Sequence, residues 1–209
     1  MKSTESARLP PLPPSEWDEE VLDALGAFPS SRDFVLKQWH DNTGDGRGSY
    51  TLGLFAHYPA LAKAFMTLNK HVAVDSKLTL REKEIIILRT SWLYKSEYEY
   101  VQHLILGARA GLSETDFQRI QEGANAEGWA DKDALLIQVV DDLHRLAKVS
   151  PTTWQQLDQH YDHQQVLDMI CLVGYYETLA KAVSSFDIPL EPGVTPIDEA
   201  TRQRLLSDK

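Results

Sequence analysis

The residues best suited to chemistry in this chain lie beside its longest apolar run, Ile-Ile-Ile-Leu at residues 85–88. Glu84 directly precedes the run, and two further acids and a histidine follow it: Glu97, Glu99 and His103. Burial among apolar side chains raises the pKa of a carboxyl group unless the group is paired, so such an acid is either a structural partner or a working group. A carboxylate and an imidazole in an apolar site are suited to general acid–base catalysis near neutral pH.

Two consecutive helices are predicted to hold these side chains. The capping-box pattern Thr79-x-x-Glu82 predicts the start of a helix over residues 80–94. Lys95 is the predicted break, and a second helix is predicted over residues 96–110. Two helices joined by so short a connection are expected to lie antiparallel and in contact.

The spacing predicts that three of these side chains meet. Glu99 and His103 are four residues apart, so they lie one turn apart on the same face of the second helix. Glu84 shares a stripe with Leu88 on the first helix and therefore points where apolar side chains point. We expect the Glu84 carboxylate within hydrogen-bonding reach of His103, with Glu99 close by. Glu84, Glu99 and His103 are the predicted catalytic residues.

Structural interpretations of the same residues stay open at this stage. Ser96-x-x-Glu99 is itself a capping-box pattern, so Glu99 could satisfy the start of its helix. Glu84 could pair with a neighbouring arginine, or His103 could be its purely structural partner. Carboxylate and imidazole also suit first-row metal ions, but no fourth strong ligand is evident, so no metal site is predicted.

The motif around these residues resembles a known family. The stretch R-E-x-E-I-I-I-L is followed after seven residues by S-E-Y-E-Y-V-Q-H and then, after three more, by G-A-R-A-G, within residues 80–111. It is similar to the central signature of the carboxymuconolactone decarboxylase and AhpD-like alkylhydroperoxidase superfamily. The resemblance implies an all-α AhpD-like helical bundle, usually assembled as dimers, trimers or hexamers.

The chain departs from the redox-active members that it resembles. Those members carry a Glu followed by C-x-x-C-x-x-x-H, and the two cysteine positions fall here on Ser96 and Glu99. The resemblance matches Glu84 to the family's Glu and His103 to its His. Without the two thiols, thiol peroxidase chemistry has neither a nucleophile nor a resolving group. The single cysteine, Cys171, lies among apolar residues of a later helix and is predicted to be an inert core residue.

Composition excludes several classes of function. The chain of 209 residues has a formal net charge of -10 and no basic stripe, which disfavours nucleic acid and anionic membrane surfaces as partners. No apolar stretch approaches the roughly 20 residues that span a bilayer, and the first residues lack the apolar region of a secretory signal. These features predict a soluble, cytoplasmic protein.

Every strong pattern has a helical period, so the predicted fold is all-α. We expect a Pro-rich arm over residues 1–14, a single domain of about eight helices over residues 15–190, and a charged, exposed tail over residues 191–209. The arm is expected to drape on the fold or to clasp a neighbouring subunit. The last long helix is apolar nearly all round, which predicts burial centrally or in a homo-oligomer.

Three functions follow from these patterns. The first is an acid–base enzyme of the decarboxylase-like branch, which needs no external cofactor and acts on a small organic acid or lactone. In that hypothesis Ser96, Trp92 and Tyr100 would contact the substrate. The second is a peroxidase-related oxidoreductase that uses a non-standard thiol. The third is a non-catalytic protein that binds a small ligand.

Overall fold

The computed structural model describes residues 7–44 and 46–207. Within these residues the regular secondary structure is entirely helical, which confirms the all-α prediction. Residues 1–6 of the predicted arm and the last two residues of the predicted tail lie outside the described residues. The described part of the chain contains eleven α-helices instead of about eight: α1 (Glu19–Leu25), α2 (Pro29–Asp41), α3 (Ser49–Phe55), α4 (Pro59–Lys70), α5 (Leu80–Leu93), α6 (Glu97–Arg109), α7 (Glu114–Glu122), α8 (Asp131–Leu146), α9 (Pro151–Leu157), α10 (His163–Ser185) and α11 (Glu199–Leu206).

The chain forms two compact units, which are described separately here. The first contains the described residues up to Asp75 together with Lys181–Pro196. The second contains Ser76–Ala180 and the described residues from Ile197 onward, and it includes all the predicted site residues. The predicted boundaries of one domain over residues 15–190 stay a prediction.

Helix α5 is the centre of the second unit. It contacts α6, α7 and α8, and every residue from Lys83 to Trp92 is buried. The two hydroxyl groups in this stretch donate hydrogen bonds to backbone carbonyl oxygens of the preceding turn. Thr90 Oγ1 donates to the Ile86 oxygen at 2.8 Å, and Ser91 Oγ donates to the Ile87 oxygen at 2.9 Å. The continuous apolar run therefore reflects a helix that is surrounded by protein.

The ends of α5 and α6 agree with the sequence. The predicted capping box is present, with the Thr79 side chain accepting from the Glu82 amide and the Glu82 side chain accepting from the Thr79 amide. Lys95 has a φ of 56°, in the left-handed region, and separates the two helices. The chain then turns sharply, and the Ser96 amide donates to the Ser91 carbonyl oxygen at 2.9 Å.

In the first unit, the described part of the Pro-rich arm packs on its own chain. The Leu12 amide donates to the Gly53 carbonyl oxygen at 3.1 Å, and Trp17 Nε1 donates to the Leu12 carbonyl oxygen at 3.0 Å. His57 Nε2 lies 2.8 Å from the Pro10 carbonyl oxygen. These contacts confirm that the arm drapes on the fold, and clasping of a neighbouring subunit stays a prediction.

At the N-terminal end, α1 follows a short 3₁₀ turn and begins at Glu19, where the Asp18 side chain accepts from the Val21 amide and caps the helix. The sequence prediction for the C-terminal end is wrong. The predicted exposed tail instead contains α11, in which Thr201 and Leu205 are buried. These two residues are four apart, so they form one narrow buried face on an otherwise polar helix.

Helix α10 is buried less completely than its composition predicts. Met169, Leu172 and Val173 are buried, whereas Leu167 and Ile170 are exposed by 62% and 37%. Among the described residues, no helix is both long enough and apolar enough to cross a membrane.

We expect Gly53→Ala to detach the arm from α3. A Cβ atom at Gly53 would lie 2.5 Å from the Leu12 carbonyl oxygen and 3.0 Å from Pro11 Cβ, so the backbone of the arm must move. Faster tryptic cleavage near Arg8 and a lower melting temperature would show the release. Gly174→Ala is the matched control, since nothing lies within 4 Å of its added Cβ. It should stabilise α10 by about 0.5–1 kcal/mol, and equal behaviour of the two variants would contradict the expectation.

The exposed apolar residues of α10 lead to the second expectation, a homo-oligomer that covers Leu167 and Ile170. Replacing both by Glu should dissociate it, because two buried charges without partners would oppose association. Light scattering of the wild type and the double variant measures this directly. A wild-type chain that is monomeric at micromolar concentration would contradict the expectation.

Candidate functional site

The hairpin of α5 and α6 brings Glu84 and His103 into direct contact. His103 Nδ1 lies 2.8 Å from Glu84 Oε2, and the two side chains are only 11% and 10% exposed. This contact confirms the predicted proximity of the two groups. The arginines that could have competed for Glu84 are engaged elsewhere: Arg81 with Asp133 at 2.7 Å and Arg89 with Asp141 at 2.6 Å.

The contact leaves the second ring nitrogen of His103 available. An ionised carboxylate can only accept, so with Glu84 in that form Nδ1 donates its proton and Nε2 carries the lone pair. Nε2 has no hydrogen-bond partner in the described part of the chain. A histidine oriented in this way through one nitrogen can exchange a proton with another molecule through the other.

Glu99 lies one turn before His103 and has no partner of its own. Both of its carboxyl oxygens are buried and form no hydrogen bond to the residues described, and the same holds for the Ser96 hydroxyl oxygen. Burial raises the pKa of Glu99 well above its usual value. The nearby Ser96 hydroxyl opposes that rise only partly, because it does not reach hydrogen-bonding geometry. Burial therefore favours the protonated form of Glu99.

The interpretation of Ser96-x-x-Glu99 as a capping box is wrong. Ser96 occupies the N-cap position of α6, but its side chain caps no backbone amide. Glu99 is 2% exposed and points into the protein, away from the free amides of the first turn. A buried carboxyl group without this structural role is the kind of exception that needs another explanation.

Tyr176 on α10 completes the surroundings of His103, and the sequence did not identify it. Its ring meets the imidazole edge-on, with the ring centres 5.0 Å apart and the planes at 90°. Burial first, and then the charges of Glu84 and Glu99, raise the pKa of Tyr176 well above its usual value. The sequence feature that could have identified Tyr176 is Gly-Tyr-Tyr inside the apolar centre of α10, because two buried hydroxyl groups there need polar neighbours.

Trp92 and Tyr100, the aromatic residues predicted to contact the substrate, lie next to each other, and Trp92 lines a cavity that is separate from the His103 site. The rings of Trp92 and Tyr100 are 5.3 Å apart, and Tyr100 hydroxyl accepts from Gln121 Nε2 at 3.0 Å. Trp92 lines a cavity of about 310 Å³ together with residues of α7 and α11, and neither Glu84, Glu99 nor His103 lines it. The structure thus brings together Glu84, Glu99 and His103 but gives Trp92 a separate environment.

The remaining candidate groups form no further centre. Cys171, predicted to be an inert core residue, lies half-buried on α10. Within the described ranges, no three or more His, Cys, Asp or Glu side chains are arranged to hold a metal ion.

Comparison with known proteins supports the resemblance to the carboxymuconolactone decarboxylase and AhpD-like superfamily. Residues 59–137 match the sequence profile of the carboxymuconolactone decarboxylase family. The matched residues include all six of the predicted site residues: Glu84, Trp92, Ser96, Glu99, Tyr100 and His103.

The fold agrees with this superfamily. A crystal structure of a protein of unknown function from Agrobacterium tumefaciens, for which antioxidant defence protein AhpD is the suggested identity, superposes with a TM-score of 0.60. The two sequences are 18% identical, and the match covers 69% of this chain and 96% of the other. At this identity the likeness concerns the fold. No curated protein matches the chain significantly in sequence.

The buried Glu99 predicts a specific pH dependence of stability. Above the usual pKa of 4.5, the unfolded state loses a proton that the folded state keeps, so stability falls as pH rises toward the raised pKa. The loss is about 1.4 kcal/mol per pH unit. Glu99→Gln cannot titrate, so its advantage in free energy of unfolding over the wild type should grow between pH 5 and pH 8.

Denaturant unfolding at several pH values measures this difference. Glu127→Gln is the control, because Glu127 is an exposed side chain of the same unit, and its difference from the wild type should stay constant. A constant difference for Glu99→Gln as well would show that Glu99 is ionised in the folded protein.

Proposed function

We propose that this protein is a carboxymuconolactone decarboxylase-like acid–base enzyme that acts on a small organic acid or lactone. The observation that carries the proposal is the buried contact of 2.8 Å between His103 Nδ1 and Glu84 Oε2, which orients the imidazole and leaves Nε2 without a protein partner. Two carboxyl groups and an imidazole can transfer protons without an external cofactor.

In the proposed reaction, His103 is the group that exchanges a proton with the substrate. For proton abstraction, Nε2 takes the hydrogen from the carbon next to a carbonyl, the C–H electron pair forms a C=C bond, and the carbonyl oxygen becomes an enolate. For decarboxylation, His103 begins with a proton on Nε2. The bond between carbon and the carboxylate breaks, CO₂ leaves, the electron pair of that bond forms the same enolate, and His103 then donates its proton to the carbon. In both cases Glu84 accepts from Nδ1 and balances the charge of the imidazolium.

The neighbours of the pair are assigned supporting roles. Burial raises the pKa of Glu99 and so favours its protonated form, in which it can donate a proton or a hydrogen bond to a substrate. The edge-on ring of Tyr176 holds the plane of the imidazole. Ser96 is a second hydroxyl beside Glu99 and could share a water molecule with it, since both lack protein partners.

The redox alternative finds less support in the same geometry. Ser96 and Glu99 occupy the positions that the family resemblance gives to the two cysteines, and neither side chain can form a disulfide. Cys171 is half-buried on α10 and has no second cysteine to resolve it. A hydroxyl group and a carboxyl group at these positions can take part in proton transfer but not in thiol–disulfide exchange.

We expect Glu84→Gln and His103→Gln each to lower turnover by about 10²-fold or more, the usual scale for general acid–base groups. The assay follows hydrogen–deuterium exchange next to the carbonyl, or loss of CO₂, by NMR on a panel of small keto acids and lactones. Cys171→Ser is the control and should keep turnover, whereas the redox alternative requires that it lose hydroperoxide turnover.

Melting temperatures, measured together with turnover, distinguish a catalytic role of Glu84 and His103 from a purely structural one. If Glu84 and His103 only hold α5 to α6, the wild type shows no exchange with any compound of the panel, and both Gln variants have lower melting temperatures. Exchange by the wild type that both variants lose while they remain folded supports the catalytic role.

A further inference from the structure

The cavity beside Trp92 lies between three helices of the second unit. Its volume is about 310 Å³, and it is lined by Trp92 of α5, by Gln118, Gln121 and Glu122 of α7, and by Arg204 of α11. This volume is at the small end of the range for ligand sites. Because no residue of the Glu84, Glu99 and His103 cluster lines it, the cavity is a separate feature of the protein.

Arg204 is held in place at one end of its guanidinium group. Nη2 donates to Gln121 Oε1 at 3.3 Å and to Thr201 Oγ1 at 2.9 Å. Gln121 is fixed in turn, because its Nε2 donates to the Tyr100 hydroxyl at 3.0 Å. Nε and Nη1 of Arg204 form no hydrogen bond to the described residues, so their donors remain available to a ligand.

The charge of Arg204 acts on two neighbouring groups. Burial raises the pKa of Tyr100 to about 12, and the positive charge of Arg204 is among the influences that lower it. Hydrogen bonds from Thr201 lower the pKa of Asp198, and the same charge lowers it further. Arg204 forms no salt bridge in the described part of the chain, although Glu122 lines the same cavity. Because Arg204 is exposed, its two unused donors are accessible to a carboxylate from solution.

We propose that this cavity is a binding site for small planar monocarboxylates, in which Arg204 binds the carboxylate and Trp92 contacts the planar body of the ligand. Three properties of the lining define this class. The guanidinium donors select a carboxylate, the indole favours a flat unsaturated ring, and the carboxylate of Glu122 repels a second negative charge. The Gln118 side chain makes no hydrogen bond to the described residues, so it can form one with a neutral polar substituent of the ligand.

The site does not depend on the proposed acid–base function. Its residues contribute nothing to the contact between Glu84 and His103, and ligand binding can be measured whether or not the protein turns over a substrate. The C-terminal helix α11 would then be part of a ligand site, because it supplies the only cationic side chain among the five lining residues.

The test uses benzoate as the probe, with benzamide as its neutral isostere, and isothermal titration calorimetry of the full chain. We expect benzoate to bind with a dissociation constant on the order of 1 mM or below and benzamide about tenfold more weakly, the scale of one charge-assisted hydrogen bond. Isophthalate, which carries a second carboxylate, should bind the wild type more weakly than benzoate does. Its binding should become stronger in Glu122→Gln.

The matched variants are Arg204→Gln and Arg202→Gln, two substitutions on the same helix. Arg202 does not line the cavity, but it anchors α11 through an ion pair with Glu97 at 2.8 Å, so Arg202→Gln loosens the helix without changing the site. We expect Arg204→Gln to weaken benzoate binding by about tenfold or more and Arg202→Gln by about twofold or less.

Any one of three results would contradict the proposal. Absence of benzoate binding by the wild type would show that the cavity is not a carboxylate site. Equal binding of benzoate and benzamide, or equal effects of the two arginine variants with circular dichroism unchanged, would show that Arg204 does not recognise the ligand.

Discussion

Helix α5 is enclosed on every side from Lys83 to Trp92, and this burial imposes one constraint on the second unit. Each polar side chain on the helix must find a partner inside the protein, because a buried group without one costs about 1–3 kcal/mol, and more when it is charged. Thr90 and Ser91 meet the requirement within the helix itself. Arg89 meets it with Asp141 and with the Ile120 carbonyl oxygen at the end of α7.

Glu84 is the member of this set whose partner can take part in chemistry. Its carboxylate contacts an imidazole and not an arginine, and an imidazole, unlike a guanidinium group, can act as a general base or a general acid. The requirement that buried polar side chains be paired therefore both stabilises the packing of α5 and positions His103 against Glu84. The sharp turn at Lys95 makes this possible, because it returns α6 along α5 and places His103 opposite Glu84.

Glu99 is, among the described residues, an exception to the rule that buried carboxyl groups are hydrogen-bonded. A carboxyl group with both oxygens buried and unpartnered is unfavourable for stability, and its neutral form is what burial permits. The superfamily resemblance gives this position to a cysteine in redox-active members. Replacing a thiol by a carboxylic acid in the same apolar surroundings changes the group from one that can donate electrons to one that can only hold or pass a proton.

The sequence alone determined the class of the fold, the two central helices and the meeting of Glu84 with His103. These features depend on local rules: helical periodicity, the capping box at Thr79, and the one-residue break that forces neighbouring helices together. Tertiary structure alone decided that Tyr176 of α10 faces the imidazole and that Glu99 caps nothing. It also decided that α11 packs against α6 and α7 and supplies Arg204 to the cavity. Each of these depends on contacts between residues distant in the chain, whose energies arise from burial and not from any local pattern that a single sequence displays.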